Sequence, residues 1–229
     1  MRTMVLFLAG CLLGTLFACR PPRHIDPDLQ LRLGPPIFYG DPYVERSVAP
    51  IYLLPKQAPQ EVPAGLIFSP EVKTDMQGKS RAGRELGRVF FRAWQGQGVF
   101  SSLEYADTVT WPGKAEAFRQ ARRRDADLVV HPRISHLLLG GSQGTTSLAL
   151  EVDIYDAAEE HLLWSMEHSG RMENAPDQDF IVFTRKTRMP SSPEYVVMYT
   201  LAYDLAQPVR KWARGLDWRS DLAPLDRSY

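Results

Sequence analysis

Alternation of apolar and polar residues is the most regular pattern in the chain. Apolar residues occupy every second position in Leu148–Tyr155, and similar alternation precedes this run at Leu128–Leu138 and follows it at Leu162–Glu167. A period of two is typical of β-strands that bury one face and expose the other. The segments Gly140–Gly144 and Asp156–Glu160 separate the runs and are rich in turn-forming residues. The pattern therefore predicts three consecutive antiparallel strands that share one apolar face.

Helical spacing predicts three helices around this segment. Apolar residues fall on one arc in Lys79–Gln95, Pro112–Arg124 and Glu194–Arg214, as expected for helices that bury one side. Pro208 lies inside the last of these, where its missing N–H is expected to kink or split the helix after Ala206.

Shorter apolar runs predict the remaining strands. One lies within residues 48–56, another follows the first helix at Val99–Tyr105, and a short one is expected at Leu66–Phe68 in the otherwise irregular stretch 57–78. The element order is then β-α-β-α-β-β-β-α. Because an apolar sheet face must be buried against other elements, we predict an α/β (α+β) fold built as a two-layer sandwich. Its mixed sheet would contain the antiparallel three-strand meander, covered by the helices.

Composition suits one domain with tails. The 229 residues are 44% hydrophobic and 24% charged, and a chain of this length rarely holds two large cores. Lysine and arginine together number 27, as do aspartate and glutamate. This balance gives no reason to expect nucleic acid as a partner.

The first nineteen residues resemble the signal of a bacterial lipoprotein. A short positive start is followed by the apolar run Met4–Phe17, and Leu16–Cys19 places a small residue directly before a cysteine. The resemblance implies that residues 1–18 are a signal peptide and that Cys19 becomes an N-terminus carrying lipid such as palmitate. Cys11 also follows small residues, but the apolar run before it is short. The other alternative, an uncleaved membrane anchor, would need roughly 20 apolar residues.

The mature chain divides by its proline content. Residues 19–47 carry six prolines and are predicted to form an extended tether. Residues 48–214 are predicted to form the single domain, and residues 215–229 a flexible tail. Cys11 and Cys19 are the only cysteines, so neither a disulfide framework nor a thiolate metal site is expected.

A stripe of arginines runs along the first predicted helix, on the side opposite its apolar arc. Its members are Arg81, Arg84, Arg88 and Arg92. The stripe is either an ordinary solvated helix face or a docking surface for an anionic polymer, for lipid headgroups or for an acidic partner.

A short apolar run follows the predicted meander. It consists of Phe180, Ile181, Val182 and Phe183, with acidic residues before it and basic residues after it. Four apolar residues are too few to cross a bilayer. The run is therefore either a further edge strand or an exposed contact for a partner or for a second copy of the chain.

Candidate catalytic residues do not form a recognisable set. The sequence lacks H-E-x-x-H, a P-loop, and a G-x-G-x-x-G that opens a helix. His131 and His136 are expected on opposite strand faces, as are His161 and His168, so neither pair could share a metal. We therefore predict that the protein is not an enzyme and binds no metal or cofactor. The alternative is an active site assembled from scattered residues, which would require a buried histidine or carboxylate with a shifted pKa in a deep pocket.

The order of elements resembles that of a group of envelope lipoproteins. Three stretches carry the resemblance, namely Gly83–Tyr105, Ala117–Val130 and Leu148–Trp164. They are similar to the group that contains the curli secretion channel lipoprotein CsgG, the penicillin-binding-protein activator LpoB and the N-terminal domain of TolB. The resemblance implies a periplasm-facing, non-catalytic domain that binds or positions another molecule. Arg20, rather than an aspartate, after Cys19 implies the outer membrane instead of the inner membrane.

These observations predict a lipid-anchored accessory or assembly factor of the bacterial cell envelope that acts through protein–protein contacts. The lipid would hold it at the outer membrane, facing the periplasm, and its partner would be another envelope protein or a second copy of the chain. The alternative function is that of a binding module, which would use the arginine stripe to hold anionic cell-wall polymer or lipid headgroups.

Overall fold

The computed structural model describes residues 37–40, 43–141, 144–174, 178–180 and 182–219. The helices among these residues are α1 (Lys79–Gln97), α2 (Lys114–Arg123) and α3 (Pro193–Ala213). The strands are β1 (Ile37–Gly40), β2 (Glu45–Arg46), β3 (Ile51–Leu53), β4 (Gly65–Ser69), β5 (Glu71–Val72), β6 (Leu103–Thr110), β7 (Leu128–Leu138), β8 (Thr146–Asp156), β9 (Leu162–Met172), β10 (Gln178–Asp179) and β11 (Thr184–Thr187).

The main sheet contains eight of the described strands. Its order is β2-β9-β8-β7-β4-β6, with β3 also on β9 and β5 also on β7. Strands β7, β8 and β9 form an antiparallel meander, whereas β4 runs parallel to both of its neighbours, β6 and β7. The predicted mixed sheet with an antiparallel three-strand meander is therefore confirmed.

The apolar face of the meander is buried under α1 and α3. On β8, Leu148, Leu150, Val152 and Ile154 are each at most 1% exposed, as the period of two requires for a face pressed against helices. Trp94 of α1 is completely buried in this layer. Its indole N–H donates a hydrogen bond of 2.9 Å to the carbonyl of Ala202 in α3, so the two helices are joined inside the core.

Helix α2 lies on the other face of the sheet, at one end. Ala117, Phe118 and Ala121 are buried there against Leu66 and Val129. Helices therefore lie on both faces of the main sheet, with α1 and α3 on one face and α2 on the other. The part of this face that α2 does not reach carries polar side chains, among them Arg133 and Asp153.

Strand β4 is the central parallel strand. The short strand predicted at Leu66–Phe68 is confirmed, but the stretch 57–78 is less irregular than expected because it also contains β5. Leu66, Ile67 and Phe68 are all completely buried, since β4 has helices on both faces. A strand that is buried on both faces consists of a continuous run of apolar residues. Because apolar and polar residues do not alternate in it, the sequence pattern does not show where the strand begins and ends.

Two strands occur within the segment predicted to be a tether. Strand β1 pairs with β11 in a separate three-stranded sheet, and β2 pairs with β9 at the edge of the main sheet. Such short strands fit between or beside prolines, which sheet edges tolerate. The prediction that residues 19–47 are tether throughout is therefore wrong from residue 37 onwards among the described residues.

Helix α3 continues through Pro208 up to Ala213, so the predicted split after Ala206 is wrong. Leu205 and Val209 on either side of the proline are buried against the core, and this packing holds both halves in one helix despite the lost hydrogen bond.

The start of the predicted tail, at Trp218 and Arg219, contacts the domain. Trp218 packs against the core, and the guanidinium of Arg219 donates to the carbonyl of Lys56 at 2.7 Å.

Candidate interaction surface

The arginine stripe lies on the exposed side of α1. All four arginines are exposed to solvent, while Leu86 and Phe90 on the opposite side are buried in the core. The helical spacing therefore predicted the placement of these residues correctly. Whether the stripe binds anything stays a prediction.

Half of the stripe is neutralised by nearby carboxylates. Arg81 Nε lies 2.8 Å from Glu85 Oε1, and Arg88 lies 3.1 Å from Asp107. The hydrogen bond from Arg81 is the main reason that the pKa of Glu85 is lowered. Arg84 and Arg92 form no ion pair with a described residue, so the stripe retains a net positive charge.

A stripe of tyrosines lies on the outer side of α3. Tyr195, Tyr199 and Tyr203 are 36%, 47% and 40% exposed. Their spacing of four residues places them one above the other on a helix, and the rings of Tyr199 and Tyr203 stack with centroids 6.4 Å apart. The sequence analysis missed this stripe, although three tyrosines at helical spacing outside the apolar arc of α3 were a visible signal.

The two stripes are neighbours. Tyr195 donates a hydrogen bond of 3.1 Å to Glu85, the same carboxylate that Arg81 contacts. Partial burial, together with this bond, raises the pKa of Tyr195. Near the other end of the helices, the side chain of Gln207 donates to that of Gln97 at 3.1 Å, so α1 and α3 run side by side in the same direction.

We call the combined area the Arg–Tyr surface. It consists of Arg81, Arg84, Arg88 and Arg92 of α1 and Tyr195, Tyr199 and Tyr203 of α3. Because both helices are anchored in the core, the surface is presented on a rigid support. It combines positive charge with exposed aromatic rings.

The described residues of the apolar run after the meander, Phe180, Val182 and Phe183, lie between the paired strands β10 and β11. The N–H of Phe180 donates to the carbonyl of Phe183 at 2.8 Å, and the two rings stack with centroids 4.5 Å apart. The edge-strand interpretation is wrong, because the chain reverses here between β10 and β11. Phe180 is 47% and Val182 is 68% exposed. Ile181 lies outside the described residues, and a role of this turn in partner contact stays a prediction.

A polar network occupies the second face of the meander. Arg133 lies 2.7 Å from Asp153 and 2.9 Å from Glu151. Asp153 also accepts hydrogen bonds from Ser165 at 2.9 Å and from Tyr155 at 3.3 Å. Burial and the neighbouring Asp153 raise the pKa of Tyr155 to about 12. These contacts provide hydrogen-bond and ion-pair partners for the nearly buried carboxylate of Asp153, so the network stabilises the fold.

His131 is buried beside this network. Its ring stacks on Trp111 with centroids 3.8 Å apart, and its Nε2 has no hydrogen-bond partner among the described residues. Burial, helped by the charge of Arg133, lowers its pKa to about 3. A general base works best with a pKa near the operating pH, and a pKa of about 3 is far from neutrality. A cavity of about 420 Å³ between β2, β8 and β9 is not lined by His131.

A serine, a histidine and an aspartate lie in a row at the edge of the sheet. Ser47 Oγ is 3.4 Å from His168 Nδ1, and His168 Nε2 is 3.0 Å from Asp204. Such a row occurs in enzymes with an activated serine. Here Asp204 is bound by Arg46 at 2.9 and 3.0 Å, and the backbone N–H of Ser169 donates to Ser47 Oγ at 3.2 Å. These contacts fasten β2 to β9 and α3.

The connection from β7 to β8 has the sequence Gly-Gly-Ser-Gln-Gly, which fits the spacing of a G-x-S-x-G motif. In hydrolases that serine stands on a sharp turn from a strand to a helix. Here the segment joins two antiparallel strands, and Ser142 itself lies outside the described residues. Within the described part of the chain, no three histidine, cysteine or acidic residues are grouped as a metal site would require.

Cys19, the predicted lipidation site, and the alternative Cys11 lie outside the described residues, and lipidation stays a prediction. Among the described helices, none has both the length and the apolar character that crossing a bilayer requires.

Comparison with known proteins gives matches of structure only. No model of a known protein family matches the chain, and no curated protein matches it significantly. Among solved structures, the PelC dodecamer from Paraburkholderia phytofirmans is 14% identical, with a TM-score of 0.46; the match covers 74% of this chain and 97% of that chain.

Two lipoprotein-related structures also match. The LpoB C-terminal domain from Salmonella enterica is 13% identical with a TM-score of 0.28, and the match covers 48% of this chain and 83% of that domain. Lipoprotein GNA1162 from Neisseria meningitidis is 16% identical with a TM-score of 0.35, and the match covers 50% of this chain and 87% of that one. The LpoB part of the predicted resemblance thus reappears among structural matches, while its CsgG and TolB parts stay predictions. At these identities and TM-scores, function has to be argued from the chain's own residues.

Proposed function

We propose that the protein is a lipid-anchored accessory factor of the bacterial envelope that binds another envelope protein through the Arg–Tyr surface. The lipoprotein-like signal at residues 1–19 and the proline-rich segment after it support the anchoring. The outer membrane is the proposed location, with the domain facing the periplasm. The surface itself is the observation that supports the binding role.

The composition of the Arg–Tyr surface favours protein binding. Tyrosine and arginine are the residues most often found at the energetic centres of protein interfaces, together with tryptophan. Tyrosine provides a large contact area at a small loss of side-chain entropy, because it has only two rotatable side-chain bonds. Here three tyrosines stand on a helix whose opposite side is packed in the core, so a partner would meet a preformed surface.

The charge of the surface indicates what kind of partner fits. Arg84 and Arg92 have no carboxylate partner among the described residues, so a partner with acidic side chains around an apolar patch would complement the surface. A second copy that docked through the same surface would bring arginines against arginines. A different, acidic protein therefore fits better than self-association at this place. The exposed turn with Phe180 and Val182 would be a second contact.

Anionic cell-wall polymer or lipid headgroups are a second candidate ligand. The two unpaired arginines favour it, since a polyanion needs positive charge but no tyrosines. The two candidates predict different salt dependence. At 0.1 M salt the attraction between exposed charges is screened beyond about 10 Å, so binding through charges alone should weaken as salt is added. Contacts made by tyrosine rings are less sensitive to salt.

A crosslinked pull-down of the full-length acylated protein from its own envelope tests the proposal. We expect Tyr199→Ser to reduce the yield of a reproducible envelope protein by about tenfold, since losing a central interface tyrosine costs roughly 1–2 kcal/mol. Tyr43→Ser is the matched control, because Tyr43 is 75% exposed but lies outside the Arg–Tyr surface. An equal yield from both variants would contradict the proposed docking surface.

Vesicles with and without anionic phosphatidylglycerol separate the second candidate from the first. The protein without its lipid and signal, expressed from residue 20 onwards, should not bind either vesicle if a protein is the ligand. Binding to the anionic vesicles that disappears in Arg84→Ser and in high salt would favour lipid headgroups instead.

A further inference from the structure

Strand β6 ends the main sheet on one side. It covers Leu103–Thr110 and pairs with β4 on one edge, and no described strand pairs with its other edge. Natural proteins often protect such an edge with proline or lysine. The sequence of β6, Leu-Glu-Tyr-Ala-Asp-Thr-Val-Thr, contains neither.

The direction of the free backbone groups follows from the pairing. Gly65 lies opposite Leu103 in the parallel ladder, and its N–H donates to the carbonyl of Ser102 at 3.0 Å. In a parallel pair, a strand uses the backbone groups of alternate residues for one neighbour. The backbone N–H and carbonyl groups of Ser102 and Glu104 therefore point towards β4. The backbone N–H and carbonyl groups of Leu103 and Tyr105 point outward, away from the sheet. Among the described strands, none pairs with these two N–H and two carbonyl groups, so they can pair with a further strand.

Arginines flank this edge on both faces of the sheet. On the α1 face, Arg88 contacts Asp107 at 3.1 Å, and the hydroxyl of Tyr105 donates to the backbone carbonyl of Arg84 at 3.2 Å. On the α2 face, Arg124 contacts Glu104 at 3.4 Å. The two acidic residues of the edge strand are thus each held by an arginine. Arg84 adds a positive charge that no described carboxylate neutralises.

We infer that an extended, acidic segment of a protein partner adds as a strand to the free edge of β6. Backbone hydrogen bonds to Leu103 and Tyr105 would hold the segment, as in other cases of strand addition. Its side chains would point alternately to the two sheet faces, so acidic side chains on the α1 face would meet Arg84, which no described carboxylate neutralises. The inference rests on the proposed protein partner, and it adds the conformation and charge of the segment that the partner offers.

Amide hydrogen exchange with synthetic peptides tests the inference on the full-length acylated protein in detergent micelles. The probe is a short peptide of alternating glutamate and valine. We expect it to slow the exchange of the Leu103 and Tyr105 amides by about tenfold or more, because hydrogen-bonded strand amides exchange only when the strand opens. A peptide of alternating lysine and valine should slow neither amide, and neither should a glutamate–valine peptide with methylated backbone nitrogens.

Arg84→Ser and Arg119→Ser provide a matched pair of variants. Arg84 borders the β6 edge, whereas Arg119 is equally charged but is paired with Glu116 on α2. The first variant should weaken binding of the glutamate–valine peptide, measured by the same exchange, by about two- to fivefold. The second should leave it unchanged.

Two results would overturn the inference. One is unchanged exchange at Leu103 and Tyr105 when the glutamate–valine peptide is in large excess, and the other is equal protection by the lysine–valine peptide. Neither result would contradict the proposed function, because the pull-down with Tyr199→Ser tests the tyrosines of α3, whereas the exchange experiment tests the backbone edge of β6. Conversely, loss of that pull-down difference would leave strand addition at β6 standing.

Discussion

At the scale of single residues, the stack of Trp111 on His131 is the least expected feature. The histidine ring is nearly buried, and its Nε2 is left without a hydrogen bond among the described residues. Burial of a polar atom without a partner has a cost in stability. This histidine cannot take up a proton in the folded protein until the pH falls to about 3, and this has a measurable consequence.

We predict that His131→Phe makes the protein less sensitive to acid. An unfolded histidine takes up a proton near pH 6.5, whereas folded His131 does so only near pH 3. The unfolded state therefore binds more protons between these values, and the free energy of unfolding falls as the pH is lowered through this window. The wild type should lose about 2–3 kcal/mol between pH 7 and pH 4 that the variant keeps.

Urea unfolding at a series of pH values measures this difference. His161→Gln is the matched control, because it removes an imidazole that is exposed instead of buried. Parallel profiles for the wild type and His131→Phe would show that His131 titrates normally in the folded protein.

At the scale of elements, α1 depends on two glycines for its close approach to the sheet. Replacing Gly87 by alanine would place a Cβ against the Tyr105 hydroxyl and 2.5 Å from Cδ of Pro70. At Gly83 the added Cβ would lie 2.6 Å from the Pro70 carbonyl oxygen. Tyr105 is fixed in place by Ser69, at 2.9 Å between the hydroxyls, so the helix has little room to adapt.

Gly87→Ala should lower the free energy of unfolding by roughly 1–3 kcal/mol, the usual cost of forcing extra atoms into a packed region. Gly96→Ala in the same helix is the matched control, since nothing lies within 4 Å of the added Cβ. This second change should stabilise the protein by roughly 0.5–1 kcal/mol through the better helix propensity of alanine. Midpoints of urea unfolding compare the two, and equal midpoints would contradict the close packing of α1.

How far the sequence predicts these elements depends on whether their signal is local. The meander and the three helices follow from periodicity within each segment, because each of them buries one side. Strand β4 is buried on both sides, so Leu66–Phe68 revealed the strand but not its central position. The hydrogen bond between Glu85 and Tyr195 joins residues far apart in the sequence, and therefore the sequence can show the arginine stripe and the tyrosine stripe separately but not that they are neighbours. For the same reason the row of Ser47, His168 and Asp204 was not foreseen.

At the scale of the whole molecule, the proposed lipid at Cys19 would determine where the domain works. With residues 1–18 replaced by a signal that is cleaved without lipidation, we predict that Cys19→Ser lies in the soluble fraction, because the serine cannot carry the proposed lipid and the apolar run Met4–Phe17 is gone. Fractionation of cells followed by detection of the protein measures this. Cys11→Ser in the chain with its own residues 1–18 is the control and should stay in the membrane fraction. Membrane retention of Cys19→Ser would contradict the proposed anchor.

The Arg–Tyr surface connects this location with a partner, and site-specific photo-crosslinking in living cells can probe that contact. A photoreactive amino acid at position 199, in the centre of the tyrosine stripe, would be compared with one at position 159. The side chain of Glu159 is 76% exposed and lies in the turn between β8 and β9, away from the two helices. We expect a single reproducible crosslink to an acidic envelope protein from position 199 and none to that protein from position 159. No crosslink from position 199, or the same products from both positions, would contradict docking through the Arg–Tyr surface.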